Sequence, residues 1–108
     1  MTIHSTPWGP AQSVRMLAEG IALVSTASHG GIKLSPERQA MMPASCRSTP
    51  YSSGGWYEED CDILMPIFRF YSEVGPHVCI LLSMLESGLR SNVRYYTEAR
   101  LADLGVSK

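Results

Sequence analysis

The sequence has little of what usually settles a protein's class at a glance. Its 3 cysteines, Cys46, Cys61 and Cys79, are an odd number at irregular spacing. That pattern excludes a complete disulfide framework and fits free thiols in a reducing compartment. No apolar run approaches the ~20 residues a helix needs to cross a bilayer, and the longest, Val78 to Leu85, is interrupted by Ser83. The N-terminus, MTIHSTPWGP, has no basic segment followed by an apolar one, so no secretory signal is read there. A cytoplasmic protein, without a membrane partner, is expected.

An excess of either charge is also missing. The 9 Lys and Arg against 10 Asp and Glu leave a formal net charge of −1, whereas a nucleic-acid binder normally gathers a basic excess to neutralise phosphates. No direct contact with nucleic acid is expected. Neither a dinucleotide nor a P-loop glycine fingerprint occurs, and 108 residues leave no room for a catalytic domain beside a cofactor domain. One domain over residues 1–108, monomeric and without a cofactor, is the expectation, and 44% hydrophobic residues suffice for its core.

Gln12 to Leu17, Ile21 to Ala27 and Gly31 to Leu34 are short apolar or β-branched runs separated by Gly-containing turns. They predict a three-stranded antiparallel meander in the N-terminal half. One face of such a meander must be covered, because an isolated one is marginal in water. Ser35-Pro36-Glu37 has the signs of a helix start, and Pro43 stops that helix. The segment ASCRSTPYSSGG, from Ala44 to Gly55, reads as a surface loop.

Trp56 to Tyr71 places Trp56, Ile63, Ile67 and Phe70 at near-helical intervals, with a kink or break expected at Pro66. Ser72 to Pro76 reads as a turn, His77 to Leu89 as a helix, and Val93 to Leu104 as a last helix closed by Gly105. The fold class is therefore α+β, a small three-stranded antiparallel sheet packed against C-terminal helices.

Four of the 10 acids crowd into five positions, Glu58, Glu59, Asp60 and Asp62, directly after Trp56 and Tyr57. On a helix start they are favoured by the macrodipole. Aromatic anchors beside dense like charge also suit docking onto a basic protein surface. His29, in the turn Ser28-His29-Gly30-Gly31, is the candidate for acid–base work, and the two glycines permit close backbone approach and positive φ. His77 and Cys79 lack the spacing of a zinc pair, so no metal centre is expected.

Three strings carry a further signal: STPWGPAQ from Ser5 to Gln12, STASHGG from Ser25 to Gly31 followed by LSPER from Leu34 to Arg38, and GWYEEDC from Gly55 to Cys61. In that order, and over the stretch up to Asp62, the chain resembles a small, largely uncharacterised domain family of bacterial mobile elements. Some carriers of that family sit among antirestriction or anti-CRISPR genes. The resemblance implies a small non-enzymatic inhibitor of a type I CRISPR system, and no catalytic residues come with it. On that reading Glu58, Glu59, Asp60 and Asp62 supply charge, and Trp56 and Tyr57 contact area, toward a basic surface on a protein subunit of the effector complex. The blocked step is DNA binding or nuclease recruitment. The alternatives are a small enzyme using His29 with a nearby carboxylate, and an antirestriction accessory module.

Overall fold

The computed structural model describes residues 2–107. Its first elements are a short ribbon, β1 (Ser5–Thr6) paired antiparallel with β2 (Gly9–Pro10), which turns at Pro7-Trp8. The Thr6 hydroxyl holds that turn, accepting from Trp8 N–H at 2.9 Å and donating to Gly9 O at 2.8 Å.

The expected meander follows as β3 (Ser13–Ala18), β4 (Ile21–Ser25) and β5 (Gly30–Leu34). Glu19-Gly20 closes the first hairpin in two residues, with Gly20 at φ +77°, a conformation that glycine adopts at little cost. A bulge at Leu17 shifts the register between Met16 and Ala18. α1 (Pro36–Met41) starts where the sequence placed it, with the Ser35 hydroxyl accepting from Arg38 N–H at 3.2 Å. Its Arg38 forks onto Glu73 at 2.6 and 2.7 Å and also donates to Glu19 O.

Four expectations are corrected by what comes next. The sheet has four strands, because Trp56–Glu58 forms β6 and pairs antiparallel with β5. The helix expected from Trp56 therefore does not start there. The backbone groups of Trp56 to Glu58 are taken by the β5 edge, and the helix waits until α2 (Leu64–Arg69). Pro66 lies in the first turn of α2, where a missing N–H costs nothing, so the break falls later, at Phe70. Ser72 to Pro76 is not a turn but part of α3 (Tyr71–Val78), where Gly75 lies so close to the Tyr71 ring that a methyl group there would come within 2.9 Å of it.

α4 spans Leu82–Ser91, so His77 closes α3 rather than opening the next helix. The last helical stretch divides at Thr97, which has φ +69° and caps α6 (Glu98–Leu104) after α5 (Val93–Tyr96). Gly105 closes it in the left-handed region, as expected.

The helices cover one face of the sheet. Leu17, Ile21, Ile32, Leu34 and Tyr57 meet Met65, Phe70, Val74, Leu85, Leu89 and Leu101 in one buried cluster. No helix among the described residues is long and apolar enough to cross a membrane, and all three cysteines are free.

Three tyrosines end in this interior with their hydroxyls bonded: Tyr57 to Gln39 Oε1, Tyr95 to Asp62 Oδ1 and Tyr96 to Cys61 O. Burial is the main cause that pushes Tyr57 and Tyr96 up to about 12, and burial with the Asp62 bond pushes Tyr95 up as well. Because the fold favours the protonated phenol, this stabilisation is complete below the unfolded value near 10 and is lost as pH rises toward about 12. Alkaline titration followed by phenolate absorbance should leave these three of the 5 tyrosines un-ionised past pH 10 until the protein unfolds. Ionisation of all five in one step with the fold intact would contradict their placement.

Candidate functional site

The site is assembled by register. β6 pairs Glu58 with Gly31 and Tyr57 with Ile32, so the turn that follows β6 lies beside the β4–β5 turn that carries His29. The His29 turn is tied by Thr26, whose hydroxyl accepts from His29 N–H at 3.1 Å and donates to His29 O at 2.7 Å. Ribbon residue Trp8 lies over Gly31 and meets Trp56 edge to face, ring centroids 5.5 Å apart. The Ser28 hydroxyl donates to Trp8 O at 3.4 Å. Trp8 thus anchors the N-terminal ribbon to the sheet.

Trp8, His29, Tyr51, Glu58, Asp60 and Cys61 line a concavity of about 370 Å³. Inside it, His29 Nδ1 lies 3.8 Å from Glu58 Oε1, with the imidazole half exposed and the Glu58 residue only 8% exposed. Glu58 is held from behind, since the N–H groups of Asp60 and Cys61 both donate to its Oε2 at 2.9 and 3.1 Å. One ligand-type atom from each of His29, Glu58, Glu59 and Asp60 lies within 4.8 Å of the others. Burial, reinforced by the Glu58 and Asp62 charges, pushes the Cys61 thiol up, so it is a neutral and weak nucleophile at neutral pH.

The six residues expected to form an exposed acidic patch divide. Glu59 and Asp60 are exposed, and Trp56 is half-buried. Tyr57 and Asp62 are fully buried and Glu58 nearly so, which corrects the picture of four solvated acids on a helix start. The reason is local bonding: Asp62 accepts from Thr49 Oγ1 at 2.5 Å and Tyr95 OH at 2.6 Å, and Tyr57 packs in the sheet core. Those two are removed from any docking surface.

His29, read from sequence as a candidate of its own, joins the acids instead. The cluster that forms among the described residues contains neither His77 nor Cys79. Tyr51, placed by sequence in a featureless loop, is a pocket wall missed at that stage, and the one signal was an aromatic in a Ser-rich segment. The expected close approach at the glycines holds, and positive φ does not: neither Gly30 nor Gly31 is left-handed, but a methyl on Gly30 would come 2.8 Å from Val24 O.

No curated protein and no solved structure matches the chain. A family model does, over residues 2–99, a stretch that takes in the strands and α1 to α5. The chain belongs to the family described as a domain of unknown function, DUF7007.

Proposed function

We propose that the protein works through this pocket, as a small catalyst of proton transfer or hydrolysis on a ligand held between Trp8 and Tyr51 beside the His29–Glu58 pair. One observation carries the reading. Trp8, His29 and Glu58 come from the three strings that stand out in the sequence, and they line one concavity. A buried carboxylate fixed by two backbone N–H groups, facing a half-exposed imidazole, is the base-and-orienter half of a catalytic constellation. Glu58 orients the ring, and the exposed side of the ring is free to take a proton from a bound water or ligand. General base catalysis of this kind contributes ~10²- to 10⁴-fold.

The test is turnover of a panel of activated carboxylic and phosphate esters by the protein, His29→Ala and Glu58→Gln. We expect each substitution to lower the rate about a hundredfold with the circular dichroism unchanged. Equal rates in all three, or no turnover of any ester, would remove the reading.

A second reading keeps one observation of its own: Glu59 and Asp60 remain exposed at the pocket rim. On it, the chain inhibits a type I CRISPR effector complex by docking these carboxylates and the open side of Trp56 on a basic protein subunit, with charge steering the encounter. Phage plating on cells carrying such a system separates the two. Loss of inhibition in Glu59→Lys/Asp60→Lys with His29→Ala still active favours docking, and the reverse pattern favours the pocket.

A further inference from the structure

We infer that the ligand of this concavity is an organic cation, an alkylated ammonium or a guanidinium, seated against Trp8 and Tyr51. The inference rests on the pocket of the catalytic reading and names the class of ligand it takes. The cavity and its aromatic walls carry it, and the charge of the lining selects the sign.

A space of about 370 Å³ is of the size that binds small organic molecules and is more than a bare ion fills. Trp8 and Tyr51 are its aromatic walls. Tyr51 is 60% exposed, the one aromatic among the large apolar side chains that the described residues leave open to solvent. It is nevertheless held in place: its N–H donates to Thr49 Oγ1 at 3.1 Å, and its ring lies 6.1 Å from that of Tyr95. Trp8 is held by Trp56. Walls fixed before the ligand arrives lower the cost of ordering them on binding.

The rings that carry cations are elsewhere. Lys33 lies over Trp56, and Arg38 and Arg69 over Phe70, at 5.0 to 5.3 Å from the centroids. Among the described residues no cation of the chain lies over Trp8 or Tyr51, so both are open to a cation from outside. No lysine or arginine lines the cavity, whereas Glu58 and Asp60 do, with His29 the one basic group. Such a lining repels phosphates and carboxylates and draws in a positive ligand. Glu58, nine-tenths buried and bonded by two backbone N–H groups, keeps its position without rearrangement.

The experiment titrates choline and acetyl-argininamide into the protein, beside the neutral tert-butyl isostere of choline and inorganic phosphate. Ligand proton NMR and tryptophan fluorescence report the binding. Saturable binding of a cation is expected, about tenfold or more tighter than the isostere, with the ligand methyl protons shifted upfield by a ring. Tyr51→Ala and Asp60→Asn, both at exposed positions, should each weaken it about fivefold, and Tyr51→Phe should retain it. Both orders of affinity carry the inference: choline ahead of acetyl-argininamide assigns a free small molecule, and the reverse assigns a side chain on a peptide. An isostere bound as tightly as the cation, phosphate bound in its place, no saturable binding, or binding unchanged in Tyr51→Ala and Asp60→Asn overturns it. Turnover separates this from the catalytic reading. Acetylcholine hydrolysed through His29 no faster than its neutral isostere sinks the cation and leaves the catalyst, whereas cation binding without turnover of any ester keeps the cation and sinks the catalyst.

Discussion

Gly31→Ala is expected to lower the melting temperature by roughly 12 °C or more and to displace Trp8 from the sheet. The added methyl would stand 2.2 Å from Tyr57 O and 2.6 Å from Trp8 Cη2. Both distances are well inside contact, and only one neighbour can yield. Tyr57 belongs to β6, and the chain on either side of it is fixed by Glu59 N–H to Gly30 O at 2.9 Å and by the buried Tyr57 ring.

Trp8 sits on a short ribbon and gives way first, but the Tyr57 carbonyl clash remains and must bend the β5–β6 pairing. Overpacking against backbone costs about 3 kcal/mol, and each kcal/mol is worth about 4 to 8 °C in a domain of this size. Thermal unfolding gives the stability and tryptophan fluorescence the position of Trp8, which loses its contact with Trp56. In a Trp8→Ala background the penalty should shrink but persist, because the carbonyl clash is still there. A Gly31→Ala protein as stable as the parent would mean that Trp8 and β6 do not close on β5 as described.

This glycine also shows how far the sequence could be read. The meander was legible because β3, β4 and β5 are apolar runs divided by Gly turns, and the α1 start because Ser35-Pro36 is a local signal. β6 was not legible. Three residues, Trp56 to Glu58, are too few to display a period of two, and the acids after them imitate the first turn of a helix. Pairing with β5, 22 or more residues earlier, outweighed that local pattern.

The site was hidden by the same step. His29 and Glu58 are far apart in sequence and meet only when Gly31 pairs with Glu58. Charge alone marked the acidic stretch as interesting but could not say which acids face water. Asp62 finds its partners 13 and 33 residues away, and a carboxylate with two hydroxyl donors can be buried where a lone one cannot.

Asp62→Ala is the second large effect we expect, a loss of about 2 to 4 kcal/mol. The side chain is fully buried and each of its oxygens has a separate donor, Thr49 from the loop and Tyr95 from α5. Truncation leaves both hydroxyls without an acceptor in a space that water enters poorly, and adds a cavity. Asn at this position keeps the shape and one acceptor, so its cost should be about 1 kcal/mol. Asn keeps the volume, so its loss in thermal unfolding reads the missing acceptor alone, and Ala adds the cavity to it. A loss in Ala with none in Asn would leave packing as the cause, and no loss in either would dismiss the clamp.

The consequences reach the pocket because the clamp holds two of its walls. Tyr95 lies 6.1 Å from the Tyr51 ring, and Tyr96 OH donates to Cys61 O, so α5 grips both the loop and the turn that follows Glu58. Asp62 N–H donates to Glu58 O at 2.9 Å and closes that turn from below. At temperatures where Asp62→Asn is still folded, its ester turnover should fall by less than that of Glu58→Gln, since it loosens the turn without removing the carboxylate that faces His29. The acids that share one short stretch of sequence therefore do different work. Asp62 holds the turn closed, Glu58 is fixed by that turn with one oxygen toward His29, and Glu59 and Asp60 meet whatever enters from solvent.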